Sequence, residues 1–308
     1  MKKRELLIVN DQNQLGKEFY RSYDTEYWIN KIMFLKKSHD NFDSIKSHLS
    51  SDSTIDEEKN FKRMLRTELH FFYFQMVEAL FELIFAVATH AQLDLWLTLS
   101  FPNYRLHKNI YKTIKKFSKK EKIEPNLEEE KFHEKLGCNI SLKRWVFYYH
   151  YPLDFTKEEC EINMQNIDKL LRIFAKDFSD RAEYNAYKHS LRFYSSPFTL
   201  RMGLKGDKAM SVLSHSDDAI TYLQERVEKD NNGKKLKAKR VEKRVKSFDF
   251  ERDYRCCLVI YHLIKNIIDT RKYSHLEELL EKKFNIYYLV DFDILKFYPP
   301  SDNFTVTV

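Results

Sequence analysis
Residues 60–88 read NFKRMLRTELHFFYFQMVEALFELIFAVA. On a 3.6-residue helix this run is apolar on most sides. Its polar members Glu68, Gln75, Glu78 and Glu82 recur at steps of seven, three and four, which puts all four on one stripe. A helix with so narrow a polar stripe is expected at the centre of a helical assembly. The part from Phe71 to Thr89 is apolar enough to invite a membrane reading. Glu78 and Glu82 argue against it, because a charge at the centre of a bilayer costs roughly 2.5–3.5 kcal/mol. The expectation is a core helix of a soluble protein with no membrane partner.

On the N-terminal side, residues 1–58 carry a weaker apolar face (Tyr27, Ile29, Ile32, Met33, Leu35). A polar loop follows, HLSSDSTIDEEKN, ending in a helix start. On the C-terminal side, Asn103–Lys120 reads as a basic amphipathic helix. Tyr104, Ile110, Ile114 and Phe117 oppose a solvated face of Lys112, Lys115, Lys116, Lys119 and Lys120. Residues 121–137 are acidic and peripheral, broken at Pro125, and CNISLKRWVFYYHY fits strand or helix equally. Thr156 with Glu159 three residues on is a capping box. Ile162, Ile167, Leu170, Leu171, Phe174 and Phe178 then repeat at helical spacing. A second helical stretch runs from Arg181 to about Arg192 and stops before Pro197.

The character then changes. FTLRMGL and KAMSVLS flank a KGD turn, and AITYLQERVE and KKLKAKRVEK flank DNNG. Asn-Gly between β-capable runs is a strong short-range hairpin signal. Helix returns over 250–273, with Tyr254, Leu258, Tyr261, Ile264 and Ile268 on one face. A short helix Leu276–Lys283 and a terminal strand in NIYYLVDFDILKFY complete the outline. The expected fold is mostly α, a helical bundle with an antiparallel β element inserted at about 197–245. At 308 residues, two domains (1–150 and 151–308) or one continuous domain are both admissible.

Hydrophobic residues make up 43% of the chain and aromatics 15%, ample for a packed interior. None of the 5 glycines (Gly16, Gly137, Gly203, Gly206, Gly233) forms a cluster, which excludes P-loop and doubly wound nucleotide sites. Cys138, Cys160, Cys256 and Cys257 form no C-x-x-C pair, and the N-terminus has no signal-peptide pattern. Reduced thiols and a cytoplasmic location are therefore expected. Neither a cofactor nor a metal is expected. Glu78 and Glu82 at i and i+4 lack the paired Glu-x-x-His of di-iron sites; the one Glu-x-x-His, Glu130–His133, lies in the acidic stretch. Arg66 with His70, and His90 with Asp94, read as pairs on helix surfaces.

The formal net charge is +7. Lys234, Lys235, Lys237, Lys239, Arg240, Lys243, Arg244 and Lys246 stand against one acid, Glu242, so this run alone carries the excess. Concentrated in one hairpin, such charge fits nucleic-acid phosphates, whose neutralisation releases counterions. It equally fits an edge hairpin that lysines protect from aggregation.

In RAEYNAYKHSLR, Arg181, Asn185, Lys188, His189 and Arg192 would share one face of a helix. Imidazole can accept or deliver a proton near neutral pH, Asn can orient the reacting group, and the cations can stabilise charge building on phosphorus. This segment resembles the HEPN family, helical domains that include many ribonucleases of toxin and phage-defence systems. The family's signature is Arg, often followed by Asn, then His after a short spacer. Asn185–His189 matches the Asn-x-x-x-His part, whereas Tyr184 stands where the family places its Arg. The likeness extends over residues 156–273 at most. It implies a metal-independent endoribonuclease or RNA-binding protein in bacterial defence or stress response. His189 would be the acid/base, Asn185 the orienting group, and Arg181 or Arg192 the phosphate contact. It also implies a homodimer with a composite site. The alternative, from a different class, is a non-catalytic interaction or scaffold protein using the basic hairpin as its binding surface.

Overall fold
Burial of the long apolar run organises the chain. The computed structural model describes residues 12–46, 55–89, 95–100, 104–133, 137–149, 151, 156–188, 192–202, 211–229, 235–276, 285–290, 292–299 and 303–307. Of these, 12–15, 55–57, 89, 97, 104–109, 198–202, 211–215, 226–229, 235–240 and 303–307 are described by backbone alone. Helix α4 (Ile55–Thr89) extends the expected span at both ends. Leu69, Tyr73, Met76, Val77, Leu80, Phe81 and Ile84 on it are fully buried. Glu68, Gln75, Glu78 and Glu82 form its more exposed side, as the stripe predicts. Glu58–Ala88 has the length and mean hydropathy (1.7) of a membrane span, and 78% of its most apolar window is buried inside the protein.

The fold is mostly α with an inserted antiparallel β element. Two compact units emerge, neither of them a single stretch of chain. Unit 1 gathers residues 1–27, 77–176 and 259–292; unit 2 gathers 28–76, 177–258 and 293–308. Residue 150 thus lies inside a segment of unit 1 rather than at a boundary.

Unit 1 contains α1 (Gln12–Ser22), the second part of α4, α5 (Leu95–Ser100), α6 (Tyr104–Ser118), strands β1 (Glu130–His133) and β2 (Cys138–Ser141), α7 (Leu142–Tyr148) and most of α8 (Lys157–Ser179). The rest of the 26-residue α10 (Phe250–His275) beyond Leu258 completes its helices. The stretch 138–151, undecided between strand and helix, is both. Cys138–Ser141 pairs antiparallel with β1, and the Ser141 hydroxyl then accepts from the Arg144 N–H to cap α7. Glu130–His133 is strand, so its two end residues face opposite ways and lack the helical spacing a metal pair would use. The capping box is formed: the Thr156 N–H donates to Glu159 Oε2 at 2.9 Å, and the Glu159 N–H to Thr156 Oγ1 at 3.2 Å.

The terminal strand expected in residues 285–298 does not form. Side-chain amides replace the ladder. Asn266 donates to the Tyr287 carbonyl (2.7 Å) and accepts from its N–H (2.9 Å). Asn166 donates to the Leu289 carbonyl (2.6 Å), and Asn163 accepts from the Leu289 N–H (2.8 Å). Buried backbone groups must be paired, and asparagines on α8 and α10 supply both donor and acceptor. A 3-10 turn, Ile294–Phe297, follows, and the last strand lies further on.

Unit 2 holds α2 (Glu26–Asp40) from Trp28 on, α3 (Phe42–Lys46), the first part of α4, α9 (Ala182–Lys188), the start of α10 and the β element. β3 (Phe193–Ser195), β6 (Ala219–Lys229), β7 (Lys235–Ser247) and β8 (Asn303–Thr307) form an antiparallel sheet in that order. β4 (Phe198–Met202) pairs separately with β5 (Ser211–Ser216). Both expected hairpin pairings, β4 with β5 and β6 with β7, are therefore present. The KGD and DNNG turns, His90–Asp94 and the expected short helix after Leu276 lie outside the described residues.

Replacing Leu80 by Ala leaves a cavity in the interior of α4 and should lower stability by about 2–5 kcal/mol. Removing the cap with Thr156→Ala should cost about 1 kcal/mol. Urea unfolding followed by circular dichroism measures both; a Leu80→Ala midpoint equal to wild type would contradict the central placement of α4.

Candidate nucleic-acid interface
Helix α9 has only 7 residues, too few to be stable on its own, so tertiary contacts must hold it. Those contacts lie on its inner side. The Tyr184 ring stacks on Phe74 at 5.5 Å, and Tyr187 stacks on Phe71 at 4.0 Å while its hydroxyl donates to Glu68 at 3.1 Å. Burial and the Glu68 carboxylate push the Tyr187 hydroxyl up to about 12. Glu183 is fully buried and meets the Lys246 ammonium at 2.5 Å. Burial disfavours the Lys246 charge, but Glu183 and then Asp180 outweigh it, and the ammonium is held above its ordinary range.

The outer side of α9 carries exposed Asn185 and Lys188. Arg181 precedes the helix, its carbonyl accepting from the Asn185 N–H at 3.0 Å and its guanidinium lying 4.7 Å from the Phe178 ring centroid. Lys188 lies over the Tyr184 ring at 4.3 Å. Asn185 and Lys188 are thus exposed on α9, with half-buried Arg181 just before its first residue. His189 lies outside the described residues. Arg192 is not on the helix; it sits exposed in the turn before β3. Phe193, next in the chain, pairs with Tyr222 in the sheet and packs edge-on against Phe71 at 5.2 Å.

The pleat of β7 sorts the basic run. Successive side chains of a strand point to opposite faces. Lys246 faces inward to Glu183, and Arg244 donates to the buried Glu242 at 2.9 Å. These two cations, expected to meet nucleic acid, instead neutralise internal carboxylates. Lys243 points the other way, alongside exposed Val241, and hydrogen-bonds the Tyr194 hydroxyl. That bond, with a second to Thr221, lowers the Tyr194 pKa from its ordinary value. Lys235, Lys237, Lys239 and Arg240 lie in the distal backbone of β7, and Lys234 is outside the described residues.

A second polar cluster in unit 2 was not anticipated. His70, read as a surface partner of Arg66, is 5% exposed, and its Nδ1 pairs with Asp253 at 2.7 Å. Arg66 turns instead to Asp218 at 2.5 Å. Asp253 meets Arg252 at 3.2 Å; Arg252 also bonds Asp177, which accepts from the Tyr73 hydroxyl at 2.6 Å. The sequence held one clue: His70 and Tyr73 stand off the glutamate stripe of α4, on sides that must be buried. Nε2 of His70 and Oε2 of Glu183 are buried without a hydrogen bond. The network is enclosed, so it positions helices and has no access to a polymer.

Unit 1 has an open polar cleft of about 580 Å³ between the β1–β2 hairpin, α7 and the start of α8. Its charges largely pair with one another, Lys143 with Glu128 at 2.6 Å and Lys157 with Glu161 at 4.0 Å. No group of three or more His, Cys, Asp or Glu side chains able to hold a metal occurs among the described residues. No protein-family model, curated protein or solved structure matches this chain.

Replacing Glu183 by Gln leaves the Lys246 ammonium largely buried without its counter-charge and should cost about 2–4 kcal/mol at neutral pH. Lys246 titrates higher in the fold than its ordinary 10.5. The stability it confers is therefore full below that pH and is lost as pH rises through the folded value. Urea unfolding between about pH 7 and pH 11 should show the gap between wild type and Glu183→Gln narrowing at the alkaline end. A gap independent of pH would place the stabilisation elsewhere.

Proposed function
We propose that this chain is a HEPN-like protein that binds RNA along the outer side of α9 and cleaves it without a metal, in bacterial defence or stress response. The observation that supports this most is the orientation of α9. Its aromatic and acidic side chains are turned inward and held by stacking and an ion pair. Asn185 and Lys188 are thereby presented on a rigid edge, with Arg181 at its start. Preorganised groups of this kind suit a phosphate whose charge grows during the reaction. His189 follows directly in the chain and is the general acid/base of this reading, Asn185 orients the ribose or phosphate, and Arg181 contacts phosphate. Two copies would meet at this helix to complete one site, as in the family the segment resembles.

One observation favours a second reading. Arg192 is displaced from the α9 face, leaving that face one guanidinium short, as a non-catalytic relative that binds through a basic surface would be.

Incubating purified protein with total RNA in EDTA separates the two. Cleavage at α9 requires fragmentation by wild type that falls about a hundred-fold or more in His189→Ala, the usual scale of a general acid or base. Equal fragmentation by both proteins would remove His189 from the mechanism. RNA retention without fragmentation would favour the binding protein.

A further inference from the structure
A sheet in which one face packs on helices leaves its other face to solvent, and that face is ordinarily polar. Here the inner face of the four-stranded sheet is occupied: Ile220 and Tyr222 are buried, and Lys246 bonds Glu183 of α9. The opposite face is not polar throughout. Leu223 is 67% exposed, Tyr194 53% and Val241 46%. Register brings them together: Tyr194 pairs with Thr221, Leu223 with Lys243, and Glu225 with Val241. Leu223 and Lys243 are directly opposite, about 5 Å apart, and Tyr194 and Val241 stand diagonal to Leu223 at about 7–8 Å, within reach of an aromatic ring or a long side chain. Thr221 and Val245 of the same face are buried. Glu225 is the acid at the far end of this group. The backbone of β7 then continues through Lys239, paired with Val227, toward Lys237 and Lys235, the most basic part of the chain.

We propose that this face is a platform for single-stranded RNA, on which Tyr194 stacks against a base and Lys243 meets an adjacent phosphate. The inference rests on the RNA reading above and adds the surface and the form of the polymer. Every base has a flat π-face, so an exposed aromatic beside cations binds single strands with little sequence preference. A duplex keeps its base faces stacked inside and offers Tyr194 nothing to stack on. Local charge selects the polymer: with Arg244 and Lys246 engaged by Glu242 and Glu183, Lys243 and the five cations of the sequence run 234–240 still make this stretch cationic, and an anionic chain is its complement. Leu223 and Val241 give the sugar edges an apolar bed.

The test is fluorescence anisotropy with the full chain and a labelled oligouridylate of about twelve nucleotides, a length chosen within the site size of known single-strand binders. Tyr194→Ala should weaken binding by about five- to a hundred-fold, whereas Tyr194→Phe, which keeps the ring, should bind like wild type. Lys243→Ala should reduce the slope of log K against log salt by about 0.7, the loss of one phosphate contact. Lys157→Ala removes a 94% exposed cation of unit 1 and should leave the slope unchanged. Circular dichroism confirms that each variant folds; should Tyr194→Ala not fold, Tyr194→Ser together with Leu223→Ser carries the same test. Wild-type affinity in folded Tyr194→Ala, equal affinity for a duplex of that length, or equal affinity for polyglutamate would each overturn the platform. If wild type neither binds nor fragments RNA, the RNA reading and the platform fall together. RNA binding or cleavage that survives the sheet substitutions but is lost in His189→Ala or Lys188→Ala overturns the platform alone.

Discussion
The bond between His70 and Asp253 is the constraint on which unit 2 depends. Helix α4 is apolar on nearly every side, yet it carries three polar groups, Thr67, His70 and Tyr73, into the interior. Each must be satisfied where it is buried. Thr67 donates to Ser195 on β3 at 3.0 Å, His70 takes Asp253 on α10, and Tyr73 takes Asp177 at the end of α8. Hydrophobic burial is non-directional and tolerates sliding, whereas these bonds do not. They set the rotation of α4 and tie three other elements to it at defined positions. Arg252 closes the circuit by bonding both Asp253 and Asp177 and by donating to the Phe297 carbonyl at 2.9 Å.

That anchoring explains how a 7-residue helix can present a stable face. α9 is caught between the aromatic rings of α4 beneath it and the sheet beside it. Phe71 and Phe74 supply the stacking surfaces, and Glu183 reaches Lys246 across to β7. The same ion pair withdraws a cation from solvent. Within the basic run, Lys246 and Arg244 neutralise Glu183 and Glu242, whereas Lys243 points the other way. Counting lysines overstates the outward charge for this reason.

In unit 1 the corresponding device is the asparagine side chain. Asn163, Asn166 and Asn266 substitute for a neighbouring strand along residues 287–289, and Asn163 also donates to the buried Tyr148 hydroxyl at 2.8 Å. A backbone segment can therefore run extended through the interior without joining a sheet. This is why the aromatic run 285–298, rich in strand-forming residues, is not a strand.

Local pattern was enough wherever the physics is local. The apolar period of α4, the Thr156–Glu159 box, the helix ending near His275 and the two hairpin pairings follow from spacing and turn chemistry within a few residues, and the sequence alone carries them. It also determines that the charge excess sits in one run, because charge is additive along the chain. What the tertiary structure decided is every property that depends on a distant partner. The place of Phe193 is set by Phe71 and Tyr222, the burial of His70 by Asp253, and the inward turn of Lys246 by Glu183. Those partners lie some 30 to 180 residues away in sequence for physical reasons that spacing cannot express: a side chain's surroundings are fixed only when elements pack, and packing is a property of the whole core.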